Sequence, residues 1–403
     1  MANKNVVVFV HGVGKHDPGW ATASPESPVQ VLLKVSKNYE AQFPDGNSLS
    51  DSVDFLEIRY DDIFETVRQQ WHDLATDLQS AGFPGASAAS VSELQQHMPG
   101  LIGELAGLTE ADKPIGTHGI DALLYKGFPL VRNIIRYSVA AQLAKIAADH
   151  IQDNRDEDPT YTLIGHSLGT AVLYDAIDLL GRTNWLNALG QLQTQGLSAE
   201  IDQNKLQMAR KRFGNNPFSS NGLWDWHGVV MISNVSPIFC KDPKPDSLEA
   251  RVRPMHSGGL NGRSVDYYFN IDHMFDPIAK IKRLSAVATW PNSAQAGFAF
   301  DLVELKHFYD KNIHGLSHYL IHPSVHSRIF WLCAPHRFPF SAVRSADAGV
   351  GTTFPNLDPQ FVDDAKRLVL EKALAEIFGL SDQEEIKTYR ARLEALANVI
   401  KGN

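Results

Sequence analysis

The sequence predicts an α/β fold: a mostly parallel sheet flanked by helices, with helical insertions and a helical C-terminal extension. Three observations carry this. Residues 5–10 form an unbroken run, Asn-Val-Val-Val-Phe-Val, the pattern of a strand buried on both faces of a parallel sheet. Further short apolar runs recur along the chain, separated by stretches of helical period. One of them enters Gly165-His166-Ser167-Leu168-Gly169, and a helical pattern follows at once. That order is a strand, a very tight turn and a helix.

After the first strand, residues 52–60 read as a second. Residues 62–150 are largely helical in period. One part spans 63–78, and another spans 129–151 with apolar residues at 130, 131, 134, 135, 139 and 143. Between them, 81–120 is softer and rich in Gly, Ala and Ser. A polar loop at 153–159 delivers the chain to the strand that starts at Tyr161. The helix after Ser167 is predicted over 168–180, and 182–224 is polar and irregular or short-helical. Further strands are expected at 227–233, 265–271 and 302–308. The tail from Asp358 carries two amphipathic helices, the second opened by the capping-box pattern Ser381-x-x-Glu384.

Composition narrows the function classes. A net charge of −9 with no block of Lys or Arg argues against a nucleic-acid partner. The two cysteines, Cys240 and Cys333, make neither a disulfide framework nor a metal pair, which suits a reducing compartment. The N-terminal apolar run is too short for a signal peptide and ends in His11-Gly12. The longest apolar candidate, 128–148, carries Arg132, Arg136 and Lys145, so no spanning helix is predicted. The expected setting is the cytoplasm, with peripheral membrane contact left open.

The chemistry centres on Ser167. A serine on such an elbow is pushed out of the backbone, and the helix N-terminus behind it offers N–H groups to an oxyanion. A Cβ at Gly165 or Gly169 would collide with the neighbouring strand or helix. A serine needs a base, and the base a carboxylate, all on loops at the carboxyl ends of strands. For the acid, Asp272 and Asp276 both lie past the strand 265–271 and stand level on position, whereas Asp301 falls on the wrong edge. Asp276 also reads as a helix N-cap before Pro277. For the base, His314 follows the strand 302–308, with His318 as the other candidate. His314, His318, His322 and His326 recur at intervals of four and invite a metal reading. Pro323 should break the helix, however, and no third ligand cluster stands out, so neither a metal nor another cofactor is expected. The first strand ends in His11-Gly12-Val13-Gly14, whose small residues let backbone approach a substrate. The N–H groups of Val13 and Leu168 are the expected oxyanion hole.

His-Gly-x-Gly after the first strand, the Gly-His-Ser-Leu-Gly elbow, then an Asp and then a His resembles the α/β-hydrolase superfamily. The chain is similar to its lipase and esterase branches and to large intracellular members such as DDHD-type phospholipases and GPI inositol-deacylases. The resemblance covers roughly residues 5–330, with specific motifs over about forty residues. It implies an α/β-hydrolase catalytic domain over 1–330, with an inserted lid or cap near 62–125, and a helical extension over 331–403. It also favours Asp276 as the acid, because relatives place Asp-Pro-Val/Ile after an Asn-containing strand, and His314 as the base, because it opens a helix with Tyr-Leu further on. The implied activity is hydrolysis of a carboxylic ester, on a small-molecule or lipid substrate, through an acyl-enzyme. Thioesterase or acyltransferase chemistry would use the same triad. A non-catalytic binding protein on this fold would be marked by a missing triad member. In such lipases the insertion shapes an acyl pocket; here Phe83, Leu101, Ile102, Leu105, Leu108 and Leu123 are the candidates.

Overall fold

The computed structural model describes residues 5–42, 48–67, 69, 121, 122, 124–150, 159–182, 226–239, 265–274, 276, 279, 300–306, 314–334 and 338–353. Its centre is a sheet of β1 (Asn5–Val10), β2 (Val53–Ile58), β3 (Tyr161–His166), β4 (Trp226–Ile232), β5 (Val265–His273) and β6 (Phe300–Leu305). The strand order is β2-β1-β3-β4-β5-β6, and every neighbouring pair is parallel. The helices are α1 (Pro28–Ser36), α2 (Leu49–Ser52), α3 (Pro129–Asp149), α4 (Leu168–Arg182), α5 (Ser236–Phe239), α6 (Leu316–Ile321), α7 (Pro323–Cys333) and α8 (Phe340–Thr353).

The run of valines in β1 is explained by two cores. Val6, Val8 and Val10 join one, with Ile135, Val139 and Leu143 of α3 and Val172 of α4. Val7 and Phe9 join the other, with Leu32 of α1, Leu320 of α6 and Ile329 and Phe330 of α7. Each such side chain, fully buried, contributes about 1.5–3 kcal/mol, so a strand with no polar alternation belongs in a doubly covered sheet. On the first face, the Arg132 guanidinium of α3 clamps Asp175 of α4 at 2.7 and 2.9 Å, and the Tyr125 hydroxyl adds a 2.6 Å bond to the same carboxylate. On the second face, Leu332 of α7 lies against Gly228 of β4 so closely that a Cβ there would meet it at 2.7 Å. The Asn5 side-chain amide donates to the carbonyl of Cys333, tying the first strand to the end of α7. Among the described residues no helix is long and apolar enough to cross a membrane.

Several boundaries differ from the sequence expectation: β4, expected at 227–233, runs Trp226–Ile232, α3 ends at Asp149 and α4 at Arg182, and three strand ends shift for reasons of capping or pairing. The second strand is shorter than 52–60, because Ser48 caps a short helix, α2, that ends at Ser52. The strand expected at 265–271 runs on to His273, paired with Leu305, so Asp272 lies on the strand opposite Glu304 and not past its end. The last strand begins at Phe300 rather than 302, held by pairing with Tyr268, and ends at Leu305. Asp301 is then its second residue, and its carboxylate takes Nη2 of the buried Arg328 at 2.6 Å. Pro323 does break the helix: α6 ends at Ile321, and α7 starts at Pro323 with His322 as its cap. Residues 70–120 of the expected insertion, the loop at 153–158, residues 183–225, Cys240 and the tail helices beyond 358 lie outside the described residues.

Candidate active site

Strand order decides where a site can form. From β1 the sheet runs to β2 on one side and to β3 on the other, so the crevice past the carboxyl ends of β1 and β3 is a topological switch point. His11 and Gly12 leave β1 there, and Ser167 leaves β3 there. Ser167 is buried and has a left-handed backbone, φ 52°, which costs a non-glycine residue about 1–2 kcal/mol. The turn is forced by close approach. A Cβ on Gly169 would sit 2.2 Å from the carbonyl oxygen of His11, so the first turn of α4 lies directly on the end of β1. A Cβ on Gly12 would sit 3.0 Å from the Ser167 Cβ, which puts the loop after β1 over the serine. Gly165, on β3, backs onto the main chain of Gly169 and Thr170.

The loop after β1 is strapped at most of its polar groups. The Tyr60 hydroxyl donates to the carbonyls of His11 (2.7 Å) and Gly12 (3.2 Å), and Tyr60 N–H donates to His11 Nε2 at 3.2 Å. The Asp121 carboxylate accepts from Gly14 N–H at 3.4 Å, and Asp61 from His16 N–H at 2.9 Å. Burial would raise the Asp61 carboxyl, but the neighbouring His11 ring, 3.3 Å away, and the bond from His16 N–H hold it well below the usual carboxylate range. Among the described residues no backbone acceptor takes the N–H of Val13 or of Leu168. Those two amides, at the end of β1 and the start of α4, are the expected oxyanion donors.

The structure brings His314 and Asp276 to the serine. His314 Nε2 is 2.9 Å from Ser167 Oγ, and His314 Nδ1 is 2.9 and 3.1 Å from the two oxygens of Asp276. The carboxylate can only accept, so Nδ1 carries the proton and Nε2 presents its lone pair to the serine hydroxyl. Asp276 is completely buried and also accepts from Ser233 Oγ (2.6 Å), the Tyr319 hydroxyl (2.7 Å) and Ala279 N–H (3.3 Å). Burial alone would raise this carboxyl. The charge of His314 and the bonds from His314, Ser233 and Tyr319 outweigh it and hold Asp276 well below the carboxylate range. The bond from Ala279 N–H ties Asp276 to the turn three residues on. Asp272 does something else. It accepts from Asn234 N–H at 3.0 Å and from the Asn270 amide at 2.9 Å, which braces the loop after β4.

The other histidines separate. His318 stacks edge-on to His273 with ring centroids 5.0 Å apart. His322 Nδ1 accepts from Ser324 N–H at 3.2 Å, capping α7. His326 bonds the carbonyl of Leu320 at 3.0 Å and the Tyr39 hydroxyl at 2.9 Å. Among the described residues no group of three or more His, Cys, Asp or Glu is arranged to hold a metal ion. His166, beside Ser167, donates from Nε2 to the carbonyl of His314 at 2.6 Å and so anchors His314 through its main chain. Desolvation, then the charge of His314, pushes His166 down to about 3, while burial pushes His326 down to about 4.

Both rings are neutral in the fold and protonate at their ordinary 6.5 when it unfolds. Their contribution is therefore present above pH 6.5 and is lost as pH falls toward 4. In His326→Gln, calorimetric unfolding at several pH values should show a stability slope shallower by about 1.4 kcal/mol per pH unit in that window. An unchanged slope refutes this.

No protein-family model, curated protein or solved structure matches this chain. What the site can do follows from its own geometry. Two of its members, Ser233 and Tyr319, were missed at the level of sequence. Ser233 closes the strand expected at 227–233, and only the observed end of β4 at Ile232 makes it the first residue past the carboxyl edge. Tyr319 carries no positional signal. It lies inside α6, and only the docking of that helix between α1 and α7 brings its hydroxyl to Asp276 and to the N–H of His273.

Proposed function

We propose that this chain is a serine hydrolase of the α/β-hydrolase type that cleaves carboxylic esters through an acyl-enzyme. The observation that carries the reading is the His314 Nε2 lone pair 2.9 Å from the hydroxyl of a serine on a strained elbow. Ser167 Oγ attacks the ester carbonyl as its proton passes to His314 Nε2. The oxyanion is received by the N–H groups of Val13 and Leu168. Collapse breaks the carbon–oxygen bond to the alcohol, which leaves with the proton from His314. Water, deprotonated by the same nitrogen, then releases the acid and restores Ser167. Asp276 stays ionised throughout and stabilises the imidazolium. The expected substrate is an acyl or lipid-like ester, a preference that rests on the motif resemblance and on the apolar residues of the 62–125 segment. Thioester cleavage and acyl transfer use the same atoms. A reducing, cytoplasmic setting suits the buried free thiol of Cys333.

A fluorophosphonate probe should label the full chain once, with the adduct mapped to the peptide containing Ser167. Absence of labelling, or an adduct elsewhere, sinks the proposal. Parallel assays with p-nitrophenyl esters of increasing chain length and with an acyl thioester then assign the substrate class.

A further inference from the structure

We propose that Ser233 is a positioning residue for the base, holding the His314 ring from the side opposite Ser167. The inference rests on the hydrolase reading above. Strands β3 and β4 are parallel, with His166 opposite Ile232, so Ser167 and Ser233 leave neighbouring strand ends at the same level. Both have left-handed backbones, φ 52° and 49°. Each hangs from the next strand: Ser167 N–H donates to Ile232 O at 3.1 Å, and Ser233 N–H to Ile271 O at 2.8 Å. The result is one imidazole between two serine hydroxyls. Ser167 Oγ stands 2.9 Å from Nε2, and Ser233 Oγ stands 3.0 Å from Nδ1.

The two hydroxyls are not equivalent. Ser233 gives its proton to Asp276 Oδ2 at 2.6 Å, because an ionised carboxylate can only accept. Its lone pair then faces Nδ1–H, which Asp276 and Ser233 share as acceptors. The nitrogen beside Ser233 already carries a proton, so Ser233 is not activated as a nucleophile. It holds the ring plane and fixes the tautomer that leaves Nε2 free to take the Ser167 proton. The site maintains this placement against backbone strain. Asn234, next in the chain, is latched by its N–H to Asp272 (3.0 Å) and by its amide to Asn270 (2.6 Å), and both residues lie on β5. A left-handed non-glycine residue, braced on its neighbour and aimed at a charged pair, is what a positioning role requires.

The test compares Ser233→Ala with Ser233→Gly in the full chain, using a p-nitrophenyl ester and the rate of fluorophosphonate labelling. Both variants remove the hydroxyl, but only glycine relieves the left-handed backbone, so the glycine variant should melt at the higher temperature. Both should lose kcat and labelling rate by roughly ten- to hundredfold, to the same extent, as expected for a lost hydrogen bond to a charged group. KM should stay within about twofold of wild type, because the residue does not touch substrate. Variants that both label as fast as the wild type overturn the assignment and leave the hydrolase reading standing. So does a loss in the alanine variant that glycine restores, since the turn and not the hydroxyl would then matter. A wild type that neither labels nor hydrolyses overturns the hydrolase reading and this assignment together.

Discussion

Ser167→Ala is expected to lower turnover of an activated ester by about 10⁶-fold, the scale on which losing a triad nucleophile acts, with the melting temperature unchanged. Alanine keeps the Cβ that closes against Gly12, so the elbow and the loop above it hold their relation. The base, acid and oxyanion amides remain, and any residual rate reports those amides alone. Ser167→Gly should be equally inactive yet more stable, because φ 52° costs glycine nothing. Steady-state kinetics and scanning calorimetry on both variants check the pair. Ester turnover by the alanine variant within tenfold of wild type excludes Ser167 as the nucleophile.

Asp276→Asn should cost about 10⁴-fold in kcat, because an amide can donate to Nδ1 and stabilise the wrong tautomer. Asp272→Asn should cost little in kcat. Its two oxygens accept from Asn234 and Asn270, and an amide must present a donor to one of them, so the loss falls on stability at about 1–3 kcal/mol. The pH dependence separates them further. Asp276 has its pKa depressed in the fold, so its contribution to stability is fully present above its ordinary 3.8 and is lost as pH falls from there toward the lower folded value. Acid unfolding of Asp276→Asn should therefore show a shallower pH slope below about 4. If Asp272→Asn loses the larger share of kcat at unchanged melting temperature, the acid has been assigned to the wrong residue.

How much of this was legible in the sequence differs from residue to residue. The β1 run announced a doubly buried strand, and Gly165, Ser167 and Gly169 announced a tight strand-to-helix turn, because both are local patterns with local causes. The acid was not legible by position. Asp272 and Asp276 looked alike until pairing with Glu304 and Leu305 carried β5 past Asp272 and left Asp276 in the turn. His314 and His318 are separated by one turn of chain, and the break at Gly315 that opens α6 decides which of them meets the serine. Ser233 and Tyr319 were invisible for a different reason. Hydroxyl residues are common, and their roles come from the register between strands and the docking of a helix, neither of which local sequence encodes.

The tie between Asn5 and Cys333 has a consequence for how the protein matures. β1 is made first, yet it sits inside the sheet and must wait for β3, more than 150 residues later, to gain its second neighbour. Its second face, covered in part by Leu32 of α1, is completed only when α7 docks. His314 and Tyr319 arrive with that same final stretch. During synthesis Ser167 therefore exists long before His314 can meet it, and contacts of such long sequence separation form slowly. Ser167 is a latent group on the nascent chain, and the appearance of esterase activity would mark completion of the fold as sharply as any spectroscopic probe.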